Sequence, residues 1–362
     1  MTQDFKSLAA LMAHGFDTVI DVRSPAEFAE DHIPGAINLP VLSNDERAEV
    51  GTIYVRQSPF LARKLGAALV FRNAAQHLET ALRDKPGGWR PLVYCWRGGQ
   101  RSGAFGWMLG QVGWRADVIA GGYRTYRRLV NAMLYDDPLP HRLIALDGHT
   151  GTAKTELLHL VRARGGQMLD LEGLAGHRGS LLGAMPGGQP SQKMFESRLA
   201  AALCALDPAR PVLIEAESSK IGARILPPAL WAALKAAPRI ALHAPIAARA
   251  TYLVGAYRDI LADGPNLTRL LNHLRPFRGH AVVDGWLELI AADDKSGLTR
   301  ALMEQHYDPA YDKSRRLHSA SDRAGGDATE IALPDLGVDA LARAADRIAA
   351  LLQRPDQPAS EI

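Results

Sequence analysis

Twice in this chain a short apolar run ends in a glycine-bearing loop, and a helical pattern follows at once. Pro91-Leu92-Val93-Tyr94-Cys95 leads into the first such loop, and Arg142-Leu143-Ile144-Ala145-Leu146-Asp147 leads into the second. Runs without polar alternation, each joined to a helix, are the pattern of parallel strands covered by helices on both faces. Asp17–Arg23, Ala116–Ala120, Pro211–Glu217 and Arg239–His243 repeat it. The fold class predicted is α/β throughout, with a mainly helical stretch from Ala247 to about His318. The charged, proline-rich segment Asp136-Asp137-Pro138-Leu139-Pro140 predicts a boundary, giving domains 1–137 and 138–362. In open parallel sheets ligands bind beyond the carboxyl ends of the strands, where Asp21, Arg23 and Cys95 fall.

The bulk properties narrow the class of protein. In 362 residues no stretch approaches the roughly 20 apolar residues of a transmembrane helix. Met1–Lys6 has no basic-then-apolar secretory pattern, so a cytoplasmic location is expected. A net charge of +3 neither demands nor excludes RNA. Arginine clusters such as Arg124, Arg127, Arg128 and Arg315, Arg316 are candidates for phosphate contact or plain solvated helix faces. With two cysteines, a disulfide framework and a four-cysteine zinc site are both excluded. Cys204 sits in an apolar helical run and reads as a small buried hydrophobe.

Cys95 stands in different company: Cys95-Trp96-Arg97-Gly98-Gly99-Gln100-Arg101-Ser102. Glycines let successive N–H groups turn inward to form an anion cradle. Arg97, Arg101 and the start of a helix near Ser102 favour a thiolate and an anionic adduct. Cys95 is therefore the expected nucleophile. By itself the loop admits sulfur, selenium or phosphate.

The second loop, Gly148-His149-Thr150-Gly151-Thr152-Ala153-Lys154-Thr155, has the strand-before, helix-after context of a phosphate-binding loop. Its amides from Gly148 through Gly151 to Lys154 would cradle a polyphosphate, Lys154 would neutralise it, and Thr155 could hold a magnesium ion. Ala153 replaces the usual glycine; a positive φ there would cost about 1 kcal/mol. Glu215 and Glu217, at the end of a later strand, are candidates to hold a metal-bound water.

Three stretches make the N-terminal part resemble the rhodanese family. They are Asp21-Val22-Arg23-Ser24-Pro25-Ala26-Glu27-Phe28, Asp31-His32-Ile33-Pro34-Gly35-Ala36-Ile37-Asn38-Leu39-Pro40, and Gly121-Gly122-Tyr123. Asp31 stands where that family commonly has glycine. Five residues separate Cys95 from Arg101, one more than in usual rhodaneses and the spacing of cysteine-dependent phosphatases. A phosphatase would need a general acid at the loop, and Asp21 or Asp31 could serve only if folded against Cys95.

A rhodanese domain ahead of a P-loop NTPase-like domain resembles the bacterial tRNA 2-selenouridine synthase family. The likeness extends to Tyr94–Ser102, His177–Ser180, Gln189–Glu196, Glu215–Ser218 and Gln305–Pro309, and spans about Val19 to Ser314. That resemblance implies a transferase that replaces sulfur by selenium in 2-thiouridine at the tRNA wobble position, through an S-geranyl-2-thiouridine intermediate. Geranyl diphosphate and selenophosphate would be substrates, Cys95 the selenium carrier, and Arg97 and Arg101 its anion cradle. No tightly bound cofactor is implied, and whether a magnesium ion at Thr155 is required stays open. The partners would be thiolated tRNA and a selenophosphate-producing enzyme, with neither DNA nor a membrane. Arg269, Arg275 and Arg278, with His273 and His280, are candidate contacts to the tRNA backbone. A rhodanese-type sulfurtransferase with a nucleotide-binding domain, or a cysteine-dependent phosphatase, are the alternatives.

Overall fold

The computed structural model describes residues 1–313 and 329–353; Arg315, Arg316 and the tail from Arg354 lie outside them. The chain forms two compact units, Met1–Pro138 with Pro190–Ala205, and Leu139–Gln189 with the residues from Leu206 onward. The division falls beside the predicted boundary. The helix Gln192–Cys204, however, is packed in the first unit although the sequence places it in the second stretch.

The first unit is a parallel sheet of five strands: β1 (Thr2–Gln3), β2 (Thr18–Asp21), β3 (Ile37–Asn38), β4 (Pro91–Tyr94) and β5 (Asp117–Ile119), in the order β1-β5-β4-β2-β3. The short edge strands β1 and β3 carry no sequence signal of their own. Val93, Ile20, Phe105 and Leu109 anchor the core on one face, where Trp89 and Trp114 meet edge to face. Ile20 pairs with Val93 and Asp21 with Tyr94, so Asp21 and Cys95 emerge side by side at the carboxyl edge. Between β3 and β4 the chain inserts two helices. Asn44–Arg56 starts with a capping box in which Ser43 and Glu46 satisfy each other's backbone N–H. Pro59–Glu79 starts from Ser58, with proline in its first turn.

The second unit repeats the plan. Its parallel sheet comprises β6 (Leu143–Gly148), β7 (Gln167–Leu169), β8 (Val212–Glu215), β11 (Arg239–His243) and β12 (Thr329–Ala332), in the order β12-β11-β6-β8-β7; β9 (Lys220–Ile221) and β10 (Arg224–Ile225) form a separate hairpin. Strand order switches direction at β6, the place where such sheets bind ligands. Leu146 pairs with Glu215 and Leu169 with Ile214, so the second loop, Glu215 and the residues after β7 share one edge. Helices Lys154–Ala163 and Val338–Leu352 close one face through Leu157, Val161, Leu341 and Ile348. The helical stretch from Ile246 to Leu302 builds its own cluster around Trp286, Leu267, Leu271 and Leu298. Among the described residues, no helix is long and apolar enough to cross a membrane.

Candidate functional site

Cys95 directly follows β4 and has 3% of its surface exposed. Burial pushes its thiol up. The Ser102 hydroxyl, which donates to Sγ at 3.2 Å, then the Ser102 N–H, the Arg101 charge and the Arg97 N–H outweigh that and hold it below the ordinary thiol value. Ser102 is itself fully buried in the first turn of the helix Gln100–Val112, so this hydrogen bond is fixed by the fold. Arg101 is half-buried and also pairs with Glu27 at 3.1 Å, while Arg97 is exposed at the rim.

The glycine turn at Gly121-Gly122 shapes this loop. A Cβ on Gly98 would meet the Ile119 carbonyl at 2.4 Å, and one on Gly122 would meet the Cys95 carbonyl at 2.2 Å. Both have positive φ, so glycine is required twice over. The backbone N–H of Tyr123 then donates to the Cys95 carbonyl at 2.8 Å, and that of Arg124 to Trp96 at 3.1 Å. Trp96 stacks on Tyr123 with ring centroids 5.2 Å apart and keeps 38% of its surface in solvent.

Asp21 and Arg23 form a buried ion pair at 2.7 Å, with the Arg23 guanidinium 4.0 Å from the Tyr123 ring centroid. Asp31 accepts the Tyr123 hydroxyl at 2.6 Å and faces Arg127 at 3.8 Å; Arg127 in turn pairs with Glu196. Both aspartates thus support the surroundings of the loop, Asp21 through Arg23 and Asp31 through Tyr123. Cys204 is half-buried rather than fully enclosed, because its helix end reaches the surface; burial raises its thiol.

In the second unit, Lys154 Nζ donates to the carbonyls of Gly148 at 2.8 Å and His149 at 3.4 Å, folding its ammonium over the loop. Gly148 and Gly151 have positive φ, and Ala153 occupies the left-handed region at φ 57. The Thr155 hydroxyl donates to Glu215 at 2.5 Å and lies 3.3 Å from Glu172. Carboxylate oxygens of Glu172, Glu215 and Glu217 lie within 4.8 Å of one another. Burial, then the Glu217 charge, pushes Glu172 up to about 7. Burial and its two carboxylate neighbours hold Glu215 well above the ordinary range, and burial raises Glu217. The second Glu215 oxygen is buried with no hydrogen-bond partner. Such a set of hard oxygen donors fits a divalent cation of the magnesium class.

Glu172 is the site residue that motif reading missed. Its only signal is position, in the first turn of a helix capped by Asp170 just past β7. The recurrent blocks noted in the sequence also find places here. Gly179 lies against Glu172 and Glu217, where a Cβ would come within 3.0 Å of either carboxylate. Asp308 holds the buried Arg249 through paired bonds of 3.0 and 2.8 Å, and Arg249 donates to the Thr150 carbonyl at 3.1 Å. The loop opens on a cleft of about 940 Å³ whose remaining wall includes Trp231, Leu234, Tyr252, Leu253 and Tyr257.

The candidate tRNA arginines are more engaged than their spacing suggests. Arg275 pairs with Asp284 at 2.6 Å, Arg278 donates to His306 at 2.9 Å, and Arg269 donates to Asn266 at 2.7 Å. Arg124 and Arg128, on the helix Gly122–Asn131 beside the Cys95 loop, are exposed.

Residues 4–129 match the rhodanese-like domain model, and residues 141–265 match the tRNA 2-selenouridine synthase AAA domain model. A protein named tRNA 2-selenouridine synthase from Nitrosomonas europaea is 37% identical over 238 residues, 64% of this chain and 61% of that one. One of the same name from Hahella chejuensis is 38% identical over 62% of this chain and 59% of its own. The chain thus spans about three fifths of the length of these relatives. A third, from Alcanivorax borkumensis, is 32% identical over 330 residues, 81% of this chain and 88% of that protein. The chain belongs to the tRNA 2-selenouridine synthase family. Within the family match, the two domain models cover the Cys95 loop and the phosphate loop respectively.

Proposed function

We propose that this protein is a tRNA-modifying transferase that replaces sulfur by selenium in 2-thiouridine at the wobble position, in two steps carried by its two units. The second unit would take geranyl diphosphate and alkylate the thiocarbonyl sulfur. The phosphate loop and Lys154 suit a diphosphate leaving group, which needs charge neutralisation rather than a hydrolytic water. Trp231, Leu234, Tyr252 and Leu253 offer the apolar wall that a prenyl chain requires, beside the loop. Thr155, Glu172, Glu215 and Glu217 would hold a magnesium ion, which supplies charge to the diphosphate.

The first unit would carry out the selenium step: the Cys95 thiolate would displace geranylthiol from the ring carbon and would itself be displaced there by the selenium of selenophosphate. The selenium of selenophosphate and the displaced sulfur share one oxidation level, so the net exchange needs no oxidant: geranylthiol leaves, and water releases phosphate. The lowered thiol, the amide-lined loop and the arginines Arg97 and Arg101 suit an anionic reagent. The exposed face of Trp96 suits stacking of a nucleobase. One observation carries the reading: a buried cysteine whose sulfur accepts from Ser102 and a phosphate loop reside on separate units of a chain in the 2-selenouridine synthase family.

Lys154→Ala tests the first step. Calorimetric titration with geranyl diphosphate is expected to show affinity weakened at least about tenfold, roughly 1.4 kcal/mol. Wild-type affinity in the variant would remove the phosphate loop from the reaction.

A further inference from the structure

The inserted helices Asn44–Arg56 and Pro59–Glu79 pack on each other and leave a groove of about 730 Å³, within the roughly 300–1,000 Å³ of small-ligand sites. Its inner wall includes Leu42 and Val70, which belong to the same packed cluster as Cys95. Gln100 and Arg101, in the helix turn that follows the cysteine loop, form one end. At the mouth Tyr54, Val55 and Phe71 stand 55%, 82% and 43% exposed. Large apolar side chains gathered in solvent around a concave site mark a binding surface. Arg47 and Arg63 add positive charge at the rim.

We propose that this groove receives the prenyl chain of the S-geranylated nucleoside while Cys95 acts on its ring. The inference rests on the two-step reading above and assigns the substrate determinant of the second step. An apolar trough rimmed by arginines and ending on the reactive loop matches one kind of occupant, a hydrocarbon chain attached to a polyanion. A free prenyl diphosphate carries its charge at the same end of its chain, and the phosphate loop of the second unit provides for that ligand. Burying apolar carbon is favourable in proportion to the area removed from water, so a few buried carbons suffice to select the alkylated nucleoside over its thiolated precursor. The alkyl group would then serve both as the handle that makes sulfur a leaving group and as the mark that admits the substrate to Cys95.

The full-length protein is given selenophosphate and tRNA bearing either S-geranyl- or S-methyl-2-thiouridine, and 2-selenouridine is measured by mass spectrometry. Wild type is expected to prefer the geranylated tRNA at least about tenfold in kcat/KM, the equivalent of roughly 1.4 kcal/mol. Val55→Glu and Tyr54→Ala, at solvent-facing positions that the fold does not depend on, are expected to collapse that preference through KM. Preference retained in both variants overturns the groove assignment and leaves the two-step reading standing. A wild type that converts neither tRNA overturns the two-step reading and the groove with it. A dimer that Val55→Glu turns into monomer in sedimentation, with the preference intact, assigns the groove to self-association and also overturns the proposal.

Discussion

A buried cysteine is ordinarily a poor nucleophile, since leaving water disfavours the thiolate. Cys95 escapes this because Ser102, in the first turn of the helix that follows the loop, donates to its sulfur and because the loop amides and Arg101 face it. Ser102→Ala removes the largest of the contributions that lower the thiol, so its titration moves upward. Thiolate absorbance against pH should show the shift, and selenium incorporation lost at neutral pH should recover as pH rises; an unshifted titration would assign the thiolate to the loop amides alone. Ala153 is the opposite kind of residue, one at which the local rule is broken. Its left-handed backbone costs an L-residue about 1–2 kcal/mol. Glycine would relieve that but would lose a buried methyl worth about 0.8 kcal/mol, and would add about 0.4–1 kcal/mol of chain entropy in the unfolded state. The terms nearly cancel, which is why alanine is tolerated. The sequence identified Cys95 through its unusual neighbours. It could not supply Ser102's role, because a serine seven residues from a cysteine has no partner until a strand end and a helix start bring them together.

At the scale of elements, both candidate sites are made by strand register. Pairing of Leu146 with Glu215 brings Glu215 beside the phosphate loop, and pairing of Leu169 with Ile214 delivers Glu172 to it. The loops and their helices were legible as strand, glycines and helix; the convergence of three glutamates was not, because β7 is only three residues long and Glu172 lies in no motif. Their raised titration has a consequence for stability. Glu172 keeps its proton to about 7 in the fold, against roughly 4.3 in an unfolded chain. The native state therefore binds more protons than the unfolded state in that window, and stability falls as pH rises through it. A magnesium ion held by the three glutamates would replace those protons. Added magnesium is expected to raise Tm by roughly 5 °C at about pH 8, to do much less at about pH 5, and to have a weakened effect in Glu215→Gln. Equal shifts at both pH values, or a full shift in the variant, would remove the three glutamates from metal binding.

At the scale of the molecule, two parallel sheets were foreseeable from the alternation of apolar runs and helical patterns. The course of the chain was not. After the first two strands and helices of the second unit, Pro190–Ala205 returns to the first, where Glu196 accepts bonds from Arg127 and Tyr135. Charged residues inside a helix do not announce which sheet they face, and only the packed unit shows Glu196 as the partner of Arg127 and, through it, of Asp31 beneath the cysteine loop. The family match spans both units, so the division of labour between them is the central claim. Its most direct test is the intact mass of a tRNA carrying 2-thiouridine, followed first with geranyl diphosphate and then with selenophosphate, for wild type and Cys95→Ser. Wild type is predicted to gain one geranyl group and then exchange the geranylated sulfur for selenium, whereas folded Cys95→Ser stops at the geranylated tRNA. Full conversion by Cys95→Ser, or loss of both steps in it, would contradict separate sites for the two reactions.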